Sequence, residues 1–344
     1  MTSRIQELLK GRHEEKIDYN AIIKKYPWIV EKNQCCVLSP DSDGLLCGLF
    51  MSKYLNWKIV GFYDGKVAVI NKEYKNKNPI FLDMEIFREE IRSMGHHMVA
   101  VNKRHLPKNW KNFDNCIQPN NLRNYDGKNN FRLKYPLATI HMLVGIIASK
   151  INNIKIPESA IPTLFFTDGI FNVLFNYPEN VLNWLNYLRI NEDWNPLKPI
   201  FENERYTVFT LMKEMDNFFR LRDEINAPRE RGDRLRISQK DGTPVNIEGI
   251  EEKSCNILED AKERIIKFMN IMGNQTKWEY SDEHWECWEN MDFYRFTKRD
   301  FKSDGKTITI PNFKEFIQKN PLSWAMTSGI NIEYTLEEPD KLPK

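Results

Sequence analysis

From Gln34 onward the chain alternates short apolar runs with stretches of helical pattern, and this alternation limits the fold more than any other feature. Cys35–Ser39, Lys58–Tyr63, Val67–Ile70, Pro79–Leu82 and Met98–Val101 read as strands, while Leu45–Leu55, Glu85–Met94 and Tyr135–Lys150 read as helices. Strands and helices in this rhythm predict βαβ units, and so an α/β fold: a mostly parallel sheet with helices on both faces. Residues 1–33 precede it as a helical lead, with a second helix from Tyr19 to Lys32 broken near Pro27. The helix Pro178–Arg189, with Trp184, Leu185 and Leu188 on one stripe, closes the α/β domain at 34–190.

Beyond it, the polar stretch Asn191 to Pro199 opens a helical linker region, 191–275. There Val208, Leu211, Met212, Met215 and Phe218 recur at helical spacing, Asn226–Gly249 is rich in turn residues, and a second helix lies near Asn256–Met272. Residues 276–344 read as a smaller α+β C-terminal domain ending in strand-like runs at Thr307–Ile310 and Ile330–Leu336. A length of 344 residues suits two domains, and a net charge of +2 excludes a polycation, so any nucleic-acid contact is a local patch. No stretch reaches the roughly 20 uncharged apolar residues of a membrane span, and no apolar signal core follows Met1 to Lys10. A cytoplasmic protein with no membrane partner is expected. Its six cysteines include no CxxC pair, which points to reduced, buried thiols.

The segment Val37-Leu38-Ser39-Pro40-Asp41-Ser42-Asp43-Gly44-Leu45-Leu46 carries the chemistry. An apolar strand runs into two carboxylates and then a helix, so Asp41 and Asp43 fall at a strand's C-terminal edge, where open α/β sheets bind ligands. Carboxylates spaced i, i+2 on such a loop can hold a divalent ion; the plain alternative is a turn in which Asp43 caps the helix ahead of Gly44. Asn78 to Asp83 repeats the pattern, a short apolar strand ending in Asp83. Phe165-Phe166-Thr167-Asp168-Gly169 offers a third instance, or else a capped turn. Four carboxylates without matched basic neighbours repel one another unless a cation compensates or one stays protonated.

These motifs together resemble the DHH phosphoesterase superfamily, which includes RecJ-type exonucleases and small-nucleotide phosphatases. Asp41-Ser42-Asp43-Gly44 matches the first motif and Asp83 the second, and Arg92 to Val101 resembles the helix end, glycine and strand before the third. Ile117 to Asn121 and Tyr135 to Thr139 resemble the loop and helix start that follow, and Thr167-Asp168-Gly169 with Pro178-Glu179-Asn180 the fourth motif. The likeness spans roughly 34–190. It implies a metal-dependent phosphodiesterase or nuclease acting on single-stranded nucleic acid or a small nucleotide, with Asp41, Asp43, Asp83 and Asp168 holding Mn²⁺ or Mg²⁺.

Counted from Gly95, the family's Asp-His-His position falls on Asn102-Lys103-Arg104, with His105 next. On this register Asn102, Lys103 and Arg104 contact the substrate phosphate, His105 joins Asp41, Asp43 and Asp83 as catalytic, and His96 and His97, at the start of the strand, are structural. Lost ligands leave a second outcome open: a degenerate homologue that binds nucleic acid or a protein partner within a larger assembly. A third reading lays Ser39 to Gly44 against the SGGxDS loop of PP-loop ATP pyrophosphatases, although Pro40 and Asp41 replace the glycines that admit phosphate.

The second half offers two weaker signals. Arg220, Arg222, Arg229, Arg231, Arg234 and Arg236 would suit a phosphate backbone, or pair with Glu224, Glu230 and Asp233 as a solvated loop. Trp278, Tyr280, Trp285, Trp288, Phe293, Tyr294 and Phe296 could stack bases, meet a protein partner or form a core.

Overall fold

A computed structural model describes residues 4–225, 232–252, 254–302 and 310–337. Its strands, in chain order, are β1 (Cys35–Leu38), β2 (Lys58–Tyr63), β3 (Val67–Asn71), β4 (Ile80–Leu82), β5 (Ser93–Met94), β6 (Cys116–Ile117), β7 (Ile247–Glu248), β8 (Asn256–Ile257), β9 (Met291–Arg295), β10 (Thr297–Lys302), β11 (Ser323–Ser328) and β12 (Asn331–Leu336).

The central sheet runs β6-β5-β4-β1-β2-β3-β9. Its β6, β5, β4, β1 and β2 are parallel, and β3 runs antiparallel to both of its neighbours, β2 and β9. The chain leaves β1 toward β2 on one side and returns to β4 on the other, so the order reverses between β1 and β4. A crevice opens outside the C-terminal ends of the strands at such a reversal, and it needs no further device to become a ligand site.

The helix Ser42–Leu55 is buried on nearly every side, as a central helix must be when it is apolar all round. Asp41, not Asp43, caps it: its side chain accepts the Gly44 N–H at 3.3 Å. Asn56 ends it in the left-handed conformation, φ 56°. Helices Thr139–Ala148 and Glu259–Thr276 pack against it, within a large core that fills this side of the sheet. The opposite face holds a smaller cluster, in which Val37, Val60 and Phe81 meet Ile86, Ile91, Phe296 and Leu322.

Four expected elements differ. Glu85–Met94 is not a helix, because Ile86 bridges Ser323 and the Phe87 N–H donates to the Leu322 carbonyl, drawing this stretch into extended pairing with the C-terminal sheet. The strand expected at Met98–Val101 lies earlier, at Ser93–Met94, while Met98 and Val99 give their carbonyls to Met326 and to the indole of Trp324. Phe165 and Phe166 end a helix, Ile161–Phe166, rather than a strand. Thr307 lies outside the described residues, and Ile310 opens a helix, Ile310–Gln318.

The C-terminal residues divide their work. β9 completes the edge of the main sheet, whereas β10, β12 and β11 form a separate antiparallel sheet. Trp278, Trp285, Trp288 and Phe296 are buried, with Trp278 against Phe50 and Trp288 against Phe62, so these four are core and not an open stacking platform, while Tyr280, Phe293 and Tyr294 are partly buried. All six cysteines are free and buried. Among the described residues no helix is long and apolar enough to cross a membrane.

Gly44 is where helix and strand end come closest. A Cβ there would lie 2.0 Å from the Ser39 carbonyl oxygen, a main-chain atom that cannot swing aside. Gly44→Ala therefore costs about 3 kcal/mol or more of stability in urea unfolding, the upper end for overpacking. A change below about 1 kcal/mol would show that the helix start is looser than its geometry states.

Candidate metal centre

Three adjacent parallel strands deliver the centre. Leu38 of β1 pairs with Leu82 of β4, and Leu82 with Met94 of β5, so the residues following each strand leave the sheet side by side. Asp41 and Asp43 follow β1; Asp83 follows β4 in a left-handed conformation, φ 64°; His96 follows β5 after Gly95. Asp168 arrives from a kink between helices, where it (φ 55°) and Gly169 (φ 65°) both adopt left-handed backbone. Ligand atoms of Asp43, Asp83 and His96 lie within 4.8 Å of one another, and this buried acid–acid–imidazole group could hold a metal ion.

A helix start and one hydroxyl organise these side chains. Both oxygens of the fully buried Asp43 accept main-chain N–H groups at the start of helix Thr139–Ala148, from Thr139 at 2.7 Å and Ile140 at 3.0 Å. Positive N–H dipoles there stabilise the carboxylate. The Thr139 hydroxyl donates to Asp83 Oδ1 at 2.8 Å and lies 2.9 Å from His96 Nδ1. Having given its proton to Asp83, the hydroxyl can only accept from His96, so Nδ1 carries a hydrogen. Nε2 of the same ring is 2.9 Å from Asp168 Oδ2, which as a carboxylate can only accept. His96 is thus an imidazolium set among Asp43, Asp83 and Asp168.

Charge follows the same geometry. Burial, then Asp168 and Asp43, raises the Asp41 carboxyl. Burial, then Asp83, lifts Asp43 well above the usual carboxylate range, and burial with Asp41 brings Asp83 to about 6. Burial would raise Asp168 too, but the neighbouring His96 overrides it and holds Asp168 at about 2. For His96, burial opposes the charge, yet Asp168 and Asp83 together raise it well above an ordinary imidazole.

His97 stacks on His96, with ring centres 4.2 Å apart, and its side chain is 42% exposed. Glu85, buried, accepts the His97 main-chain N–H at 2.6 Å and lies 3.3 Å from Nδ1. A Cβ on Gly95 would lie 2.4 Å from Glu85 Oε1, so the Glu85 carboxylate fills the space that a side chain at 95 would take. Asp41, Asp83, Glu85 and His97 line one end of a cavity of about 760 Å³.

The four aspartates named from sequence therefore converge, whereas the expected substrate contacts do not join them. Lys103–His105 is a single 3-10 turn: Asn102 caps it through the Arg104 N–H, the Lys103 N–H donates to Asp126, and Lys103 Nζ reaches the Asn124 carbonyl. None of Asn102, Lys103, Arg104 and His105 lines the cavity. The reading of His96 and His97 as structural is corrected for one reason. Placing β5 at Ser93–Met94 moves both histidines from the start of a strand to the end of one, into the crevice. Thr139 and Glu85 were missed, since a threonine at a helix start and a glutamate two residues past an aspartate are common away from any site. Neither family models, curated proteins nor solved structures gave a match to this chain.

Because Asp41, Asp43, Asp83 and His96 all hold protons more tightly when folded, the metal-free protein is stabilised at low pH. That stability falls as pH rises from about 4, the unfolded carboxylate value, through the Asp83 value of about 6. Asp168 has the opposite sign, but its contribution is lost only below about pH 4. Asp83 alone accounts for on the order of 2–3 kcal/mol. In chelator, the melting temperature should drop between pH 5 and 7.5, and Mn²⁺ should restore it more at pH 7.5 than at pH 5. A chelated protein whose melting temperature does not change over this range would contradict the crowding of charge.

Proposed function

We propose that the chain is a metal-dependent phosphodiesterase of DHH type, acting on single-stranded nucleic acid or a small nucleotide. The observation that carries this is the meeting of Asp41, Asp43, Asp83, His96 and Asp168 beyond the C-terminal ends of β1 and its neighbours. The strand register supports it: with β5 at Ser93–Met94, the family's third motif falls on Gly95-His96-His97, so both histidines are kept and glycine replaces the aspartate. Glu85, from the neighbouring strand end, puts a carboxylate into the vacated space.

Asp43, Asp83 and His96 would hold Mn²⁺ or Mg²⁺, flanked by Asp41 and Asp168; Asp43 Oδ2 accepts one N–H and keeps a lone pair for the ion, while Oδ1 accepts from both the Ile140 N–H and, at 3.8 Å, the Cys47 thiol. When bound, such an ion would supply Lewis acidity toward the phosphodiester and lower the pKa of an attacking water. Taking up the ion requires His96 to give up a ring proton, so binding is pH-dependent. His97, lowered by burial and His96 but raised overall by Glu85, lines the cavity wall, where an imidazole would serve as general acid toward the leaving oxygen. The pyrophosphatase alternative fits less well, because the Asp41 carboxylate already occupies the helix start where a phosphate would bind. Six reduced thiols suit a reducing, cytoplasmic compartment.

One observation favours a second reading. His96 as an imidazolium already supplies positive charge to the acids, as it would in a relic that binds nucleic acid or a protein partner without cleaving it. Cleavage of single-stranded oligonucleotides and dinucleotides with Mn²⁺ or Mg²⁺ decides between them. The enzyme reading expects turnover that Asp83→Asn or His96→Ala lowers by about 100-fold or more, the scale of losing a general acid–base or ligand group. Absence of metal-dependent cleavage by the wild type, with no heat on titrating Mn²⁺, would leave the relic.

A further inference from the structure

Asp41, Asp83 and Glu85 line part of the cavity, and the rest of its wall includes Lys66, Arg234, Arg236, Lys240 and Lys298 together with the acids Asp64 and Glu333. The arginines are not on a loose loop. Leu235 and Ile237 are buried at 2% and 0%, while Arg234 and Arg236 between and beside them are exposed. In an extended segment this alternation sends both guanidinium groups to the same side. The Leu235 main-chain N–H donates to the Pro40 carbonyl at 2.8 Å, one residue from Asp41, and so ties the segment to the loop that begins the acid centre. Ser238 adds a hydrogen bond to Asp64 beside β2.

Acids stand beside several of these cations. Arg234 Nε is 3.6 Å from Asp233, longer than a hydrogen bond; Lys66 is 3.4 Å from Asp64 and Lys298 2.9 Å from Glu333. Arg220 and Arg222 behave differently: they pair with Asp216 and Asp223 on the helix Val208–Asp223 and do not line the cavity. Pro228, Arg229, Glu230 and Arg231 lie outside the described residues. Cations gathered on one concave wall focus potential on an anion, and arginine's planar fork matches phosphate oxygens in pairs.

We propose that Arg234 and Arg236, assisted by Lys298, form a phosphate subsite that takes a second, non-reacting phosphate of the ligand whose first phosphate lies at the acid centre. The subsite rests on the phosphate reading above for the place of the first phosphate, and on the wall's own charge for the second. It makes a ligand with two separated phosphates a better occupant than one with a single phosphate.

The test is calorimetric titration of the full chain, in Mn²⁺, with thymidine 3′,5′-bisphosphate and thymidine 5′-monophosphate. The bisphosphate should bind the wild type about tenfold more tightly or better, the scale of one added charged hydrogen bond. Arg234→Gln with Arg236→Gln should abolish that gain, leaving monophosphate affinity, Mn²⁺ affinity and melting temperature as in the wild type; Arg234→Lys with Arg236→Lys should recover part of it. A wild type that shows no gain, or a Gln pair that keeps it, overturns the subsite. Cleavage assays separate the two readings. Turnover without the bisphosphate gain removes the subsite alone, and an arginine-dependent gain without turnover or Mn²⁺ binding removes the hydrolase alone.

Discussion

Asp43 is a carboxylate with no exposure to water, and the arrangement around it follows from that fact. A buried charge must be met by donors or by opposite charge, and this one is met by both. The N–H groups of Thr139 and Ile140 receive its oxygens, and His96 Nδ1 stands 3.6 Å away. Satisfying Asp43 fixes where helix Thr139–Ala148 begins. That helix start in turn places the Thr139 hydroxyl between Asp83 and His96. A single desolvated group thereby sets the relative positions of the first, second and third strand ends.

The same need explains why the centre can be read in two chemical states. With His96 doubly protonated, its single positive charge meets Asp168 and leaves Asp41, Asp43 and Asp83 to hold protons more tightly than free carboxyls do. Under the metal reading proposed above, the imidazole would have to give up a proton to become a ligand, and a proton and a metal would compete for one ring.

Much of this was legible in the sequence, and the reasons for success and failure are physical. Apolar runs ending in Asp41, Asp43 and Asp83 announced strand ends at one rim, because a parallel sheet offers a carboxylate few other places after an apolar strand. The third strand was misplaced because Met98–Val101 is the more apolar segment. Its carbonyls are taken by β11, more than two hundred residues away, and no local pattern records that partner. Glu85–Met94 failed for the same reason: its helical look yields to pairing with Leu322 and Ser323. Asp168 came out right in place but wrong in delivery, since Phe165 and Phe166 serve a helix as readily as a strand. The arginine segment was visible, but only the alternation of Leu235 and Ile237 with their neighbours, together with the bond to Pro40, separates Arg234 and Arg236 from the rest.

The strand β11 touches both flanks of the histidine pair, holding Ile86 and Phe87 before it and Met98 and Val99 after it. A chain made from its N-terminus can build the sheet from β1 to β6 early, yet the turn carrying His96 stays without its brace until residues 322–326 have emerged. The acids thus sit on segments made early and the turn bearing their counter-charge is braced by a segment made late, so the centre is complete only once residues 322–326 have joined it.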